Sequence, residues 1–118
     1  MKRLRLLLSG LLLVVSGFAL AQDPLAVNPK TIQLRLDNER VRVLEATLPP
    51  GVKEQPHSHP ANVIYVISGG RIRSHGADGK TTESTLNTGD VIYRDPLTHW
   101  AENIGDKPIH LILVELKK

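Results

Sequence analysis

The sequence predicts an all-β domain: a sandwich or closed barrel of about eight short antiparallel strands. Three observations carry this. Apolar residues recur with a period of two, turn-forming residues interrupt the pattern at short intervals, and no window sustains a 3.6-residue period. Ile32, Leu34 and Leu36 alternate with polar neighbours, and Val41, Val43 and Leu48 continue after a turn at Asp37-Asn38-Glu39. Val63 to Ile67 is a continuous β-branched and aromatic run that stops at Gly69-Gly70. Ile72 opens another strand, which turns at Ala77-Asp78-Gly79-Lys80, where Asp-Gly is a hairpin signal. Thr81–Leu86 returns, Asn87–Asp90 turns, Val91–Tyr93 is short, and Thr98–Ile104 and Ile109–Leu116 complete the set. The apolar last strand reads as a sheet edge that needs cover.

Residues 1–21 read differently. Lys2, Arg3 and Arg5 precede an apolar stretch from Leu6 to Val15, and Ala19-Leu20-Ala21 follows. A basic head, a short apolar core and a small-x-small site make up a secretory signal peptide, with cleavage expected after Ala21. The stretch is shorter than the roughly 20 apolar residues of a membrane span, and no cysteine follows it to carry a lipid. Residues 22–30 hold two prolines and little periodicity and read as an arm, which leaves 31–118 as one domain. The expected location is the periplasm or the exterior, with no membrane attachment after cleavage.

The charge balance follows from that division. Three of the 15 basic residues lie in the leader and all 12 acidic residues lie beyond it, so the remainder is neutral overall. The basic pI therefore belongs to the leader, and no basic face with interleaved aromatics offers itself to nucleic acid. With no cysteine there is neither a disulfide nor a thiol nucleophile. A Gly-x-Ser-x-Gly elbow and a glycine-rich phosphate loop are also absent.

The chemistry concentrates on histidine. His57-Ser58-His59 is framed by Pro56 and Pro60. In extended chain, residues i and i+2 project to one side, so both imidazoles can reach one point while Ser58 faces away. Neutral imidazole is the commonest nitrogen ligand of first-row metals. The wider pattern resembles the cupin family. Gly51, His57-x-His59 and Gly69 are similar to its first motif, and Gly89, Pro96, His99 and Asn103 to its second. The resemblance spans residues 41–116 and implies a small jelly-roll barrel, a metal held by His57, His59 and His99, and pairing into a homodimer. It also implies a small-molecule ligand or substrate and one divalent transition metal: iron, manganese, nickel, zinc or copper.

One departure matters. The family's first motif supplies a glutamate seven residues before its closing glycine. Here that position is Asn62 counted from Gly69, or Val63 counted from Gly70, and no carboxylate lies between Gln55 and Asp78. The resemblance thus implies a three-histidine site with open positions, to which Asn62 could add an amide oxygen. Three neutral imidazoles leave a divalent charge uncompensated, which favours an anion or hydroxide in those positions. Tyr65, Tyr93, Arg73 and His110 are further candidates for the cavity wall, with side undetermined. His75, beside the hairpin turn, reads as a solvated surface residue. Trp100 and Glu102 share the side opposite His99, whereas Asn103 shares the side of His99 and reads as structural. Two function classes remain open. One is an enzyme of the dioxygenase, isomerase or decarboxylase type; the other is a non-catalytic module for metal or a small ligand. A barrel that has lost its metal is a third reading.

Overall fold

A computed structural model describes residues 22–118; the expected signal peptide, residues 1–21, lies outside the described residues. Among the described residues, nine strands form two antiparallel sheets. They are β1 (Ile32–Asp37), β2 (Val41–Leu48), β3 (His57–His59), β4 (Asn62–Ser68), β5 (Gly70–Gly76), β6 (Thr81–Leu86), β7 (Val91–Arg94), β8 (Leu97–Asn103) and β9 (Ile109–Leu116). One sheet has the order β1-β2-β9-β4-β7 and the other β3-β8-β5-β6. The strand beyond the expected eight is β3, the three-residue His-Ser-His segment itself. A second difference is a single helical turn, α1 (Pro24–Val27), in the arm. Asp23 caps it, accepting from the Leu25 N–H at 2.9 Å, and Pro24 opens it. Four residues are too few to show a helical period.

The apolar alternation places the core. Leu44, Ala46, Ile64, Val66 and Leu113 point between the sheets, where Ile32 joins them. Leu25 of the arm packs against this cluster and Pro24 is buried, so residues 22–30 lie on the barrel wall. Deleting a buried leucine such as Leu44 removes about 2–5 kcal/mol of burial and cavity energy.

Topology corrects one expectation. β9 is not an edge: it lies between β2, paired over Val41–Leu48, and β4, paired from Asn62 to Ser68. Its apolar run is long because both of its flanks are paired and its inner face is core. The edges of this sheet are β1 and β7.

The motif glycines have two distinct reasons. Gly51 and Gly89 adopt φ of 75° and 89°, the left-handed region, at turns with open space around them. Gly69 is not strained in that way. It forms the corner at which the chain leaves the first sheet and enters the second, pressed against the turn after β6. A Cβ there would stand 2.0 Å from the Leu86 carbonyl oxygen and 2.9 Å from the Thr88 nitrogen, both backbone.

Gly69→Ala is therefore expected to destabilise the fold by about 3 kcal/mol or more. Gly105→Ala, whose Cβ would come no closer than 3.4 Å to another atom, should change stability by less than about 1 kcal/mol. Urea midpoints at an unchanged slope read both.

Candidate metal centre

Register brings the three histidines together. β3 pairs antiparallel with β8 so that His57 lies directly opposite His99, and His59 shares the face of His57 two residues on. All three are buried, and their candidate ligand nitrogens lie within 4.8 Å of one another. Ring centroids are 4.7 Å apart for His57 and His59, 4.8 Å for His57 and His99, and 5.4 Å for His59 and His99. Ser58 points outward and shares a hydrogen bond with Thr98 at 2.6 Å, away from the cluster.

Each Nδ1 is occupied by a protein partner. That of His57 donates to the Gln55 carbonyl at 2.7 Å. His59 Nδ1 donates to Glu115 Oε2 at 2.7 Å, and His99 Nδ1 lies 3.1 Å from Ser74 Oγ. A proton held at Nδ1 leaves Nε2 with a free lone pair, the form in which imidazole binds metal. His99 Nε2 is fully buried and has no hydrogen-bond partner among the described residues. An orphaned buried nitrogen beside two convergent imidazoles is what a missing cation would satisfy, so the donor set fits a metal.

Outer groups fix this arrangement. Glu115 is almost completely buried; its second oxygen accepts from Arg42 Nε at 2.8 Å, and Arg42 Nη1 reaches Asp23 Oδ2 at 2.8 Å. Burial pushes the Glu115 carboxyl up, but His59 and Arg42 more than offset it and hold it below the usual range. Asn28 of the arm braces the other histidine. It accepts from the Gln55 N–H at 2.7 Å and donates to the same Gln55 carbonyl that His57 uses, at 3.2 Å. Desolvation dominates the imidazoles: burial lowers His57 to about 4 and His99 to about 2, and lowers His59 against the pull of Glu115. All three are neutral at pH 7 and ready to ligate.

The histidines line a cavity of about 50 Å³ between the sheets, walled by aliphatic residues such as Ile64, Ile72 and Leu113. Two charged residues share it, Glu54 and Arg94. Glu54 precedes β3 and accepts from the Ala101 N–H at 3.1 Å; burial pushes its carboxyl up to about 7. The expectation of wholly uncompensated metal charge is thus modified, since carboxylates enter from outside the Gln55–Asp78 window. Glu115 is already shared by His59 and Arg42, and Glu54 faces the positive charge of Arg94. The missed groups left no pattern to read: Glu54 sits in an irregular loop, and Arg94 on a strand of four residues.

The other sequence candidates lie elsewhere. Asn62 is fully buried, but its amide oxygen accepts from Arg94 Nε at 3.1 Å and its nitrogen donates to the Pro60 carbonyl. Tyr65 and Tyr93 are exposed on the outer face of the five-stranded sheet. His110 is also on that face, bonded through Nε2 to Glu45 at 2.9 Å. Arg73 and Glu102 lie outside the second sheet with His75. His75 is half-buried rather than solvated, because it stacks on Trp100 at 3.7 Å between centroids. Asn103 is structural, donating to the Leu48 and Lys107 carbonyls and accepting from the Gly105 N–H.

Two outcomes follow. His57→Ala and His99→Ala should each abolish tight metal binding, Glu115→Gln should weaken it about 10–100-fold, and His75→Ala should leave it unchanged, as read by calorimetry. Without metal, the buried imidazoles stay neutral while unfolded chains protonate below about 6.5. Stability is therefore lost as pH falls from 6.5 toward the folded value of about 4 for His57. Glu54 acts in the opposite sense: its raised pKa removes stability as pH climbs from the ordinary carboxyl range through about 7. Three histidines outweigh one glutamate below 6.5, so thermal stability should rise with pH there and then level or fall, and Glu54→Gln should abolish the decline.

Residues 44–115 match the family model described as a cupin domain. A cupin domain from Bordetella pertussis Tohama I is 27% identical over 74% of this chain and 92% of its own, with a TM-score of 0.68. A double-stranded β-helix protein from Klebsiella pneumoniae is 28% identical over 71% of this chain and 73% of its own, with a TM-score of 0.59. At 23% identity, over 73% of this chain and 79% of its own, a predicted oxalate decarboxylase from Thermotoga maritima shares the fold, with a TM-score of 0.52. No curated protein is significantly similar in sequence. Two antiparallel sheets closing on three inward histidines, matched over 44–115, make this chain a member of the cupin family.

Proposed function

We propose that the protein is an exported, metal-dependent cupin enzyme that acts on a small anionic molecule at the His57–His59–His99 centre. The observation that carries this is the convergence of three buried imidazoles, each tied at Nδ1, in an apolar cavity that also holds the Glu54 carboxyl. A divalent transition metal would supply Lewis-acid or redox chemistry there. The chain's own residues do the rest. The aliphatic walls exclude bulk water and strengthen every charge interaction inside. Glu54, with its carboxyl raised to about 7, is suited to give or accept a proton near neutral pH. Proton-transfer chemistry, as in isomerisation or decarboxylation, uses these groups more directly than oxygen insertion does. The second reading, a non-catalytic metal or small-ligand module, is favoured by one feature, the small size of the cavity.

Export and pairing belong to the same proposal. The leader pattern of residues 1–21 supports a periplasmic or secreted product that begins at Gln22. For the homodimer, the support is the outer face of the five-stranded sheet. Leu36, Val43, Val114, Val63 and Tyr93 form one apolar row across all five strands, beside exposed Tyr65 and Val91. Antiparallel sheets normally alternate apolar-in with polar-out, and a second copy laid on this face would cover it.

Elemental analysis of the untagged mature protein is expected to find about one first-row metal per chain, as three-histidine sites hold a single ion. A His57→Ala/His99→Ala protein should lose it. No metal, and no uptake of iron, manganese, nickel, copper or zinc, would overturn the proposal. Light scattering on the same sample should give a dimer mass, reduced to a monomer by Val63→Asp/Tyr93→Lys.

A further inference from the structure

Arg94 is inward-facing on β7, across from Asn62 on β4, and lines the cavity with the three histidines. Its Nε is satisfied, donating to Asn62 Oδ1 at 3.1 Å. Its Nη2 is fully buried and has no partner among the described residues. Glu54, the carboxylate in the same cavity, spends a hydrogen bond on the Ala101 N–H instead. A buried donor left unpaired costs about 1–3 kcal/mol, more when it is charged, so a guanidinium held this way is set for a partner that the chain does not supply. Burial also presses the Arg94 pKa down to about 10, against the attraction of Glu54 and Glu115.

We infer that Arg94, oriented by Asn62, is the anchor for the carboxylate of a short-chain carboxylic acid, whose other end is presented to the three histidines. The inference rests on the reading of the cavity as an anion site and adds the ligand class and the residue that selects it. A guanidinium fork matches a carboxylate in shape and charge, which a neutral amide of the same size cannot reproduce. The cavity, about 50 Å³, holds roughly four water-sized volumes at ~10–15 Å³ each, so chain length is limited to a few carbons. Counted back from Gly69, Asn62 falls at the position of the family motif's glutamate; its amide oxygen orients Arg94 and, being uncharged, adds no negative charge to the guanidinium. A glutamate in its place would pair with Arg94 and abolish the anion site.

The test titrates the mature protein with acetate and with acetamide, with and without Co(II), following the Arg94 Nε–H resonance by NMR and Co(II) by its visible absorption. Acetate, but not acetamide, should move the Arg94 signal and raise the melting temperature. Arg94→Gln should weaken acetate binding at least tenfold, Arg94→Lys less, and Asn62→Asp about as much as Arg94→Gln. Arg94→Gln should also melt no lower than wild type without ligand, since it removes a buried cation whose Nη2 has no hydrogen-bond partner among the described residues; a merely structural arginine would melt lower. If that variant does not fold, the contrast between acetate and acetamide at the wild-type Arg94 signal decides. Acetate binding that survives Arg94→Gln, or equal binding of acetamide, overturns the inference while Co(II) binding still upholds the metal centre. Acetate binding lost with Arg94 in a protein that takes up no Co(II) upholds the anchor and overturns the metal reading.

Discussion

The structure depends on burying three uncharged imidazoles around one point. An imidazole moved into an aliphatic interior loses water at both nitrogens, and each nitrogen then needs a partner or a ligand. The chain meets half of that demand and leaves the other half open. The Nδ1 partners come from separate places: a loop carbonyl at Gln55, Ser74 on β5 and Glu115 on β9. Holding them requires both sheets to close, so the site and the barrel specify each other. The arm takes part as well, because Asn28 braces the Gln55 peptide and Asp23 ends the chain of charges that runs through Arg42 to Glu115.

Charge inside the barrel is arranged by pairing some groups and leaving others unpaired. Glu115 between His59 and Arg42 is a satisfied network and holds the His59 imidazole in orientation. Glu54 and Arg94 share the cavity without completing one another, and both titrate away from their ordinary values. Perturbed groups of this kind gather where chemistry or binding occurs. The cluster outside the second sheet is a useful contrast. His75 stacked on Trp100, with Arg73, Glu83 and Glu102 around it, is rich in ion pairs but lies on the outer face of its sheet, and its exposed pair of Arg73 with Glu83 contributes little.

Much of the candidate metal centre was legible before the fold. A His-x-His pair in extended chain must share a side, and motif spacing singled out His99 as its partner 40 residues later. Asn103 and the turn glycines were legible for similar local reasons, although Gly69 proved to be required by close backbone approach and not by its own conformation. Tyr65, Tyr93 and His110 were ambiguous because a period-two pattern gives two faces and does not say which is inside. Here the outer face of the five-stranded sheet carries an apolar row of its own, so hydrophobicity could not decide between the faces.

The sequence by itself determined the strand pattern, the turn positions and the three histidines, because these follow from side-chain periodicity and backbone chemistry acting over a few residues. Only the tertiary structure decided that β9 is central, that Asn62 serves Arg94, and that Glu54, Arg94 and Glu115 converge on the site. Those outcomes depend on register between strands far apart in the chain and on which loop residues turn inward. Closure of the barrel fixes both, and no local signal encodes them.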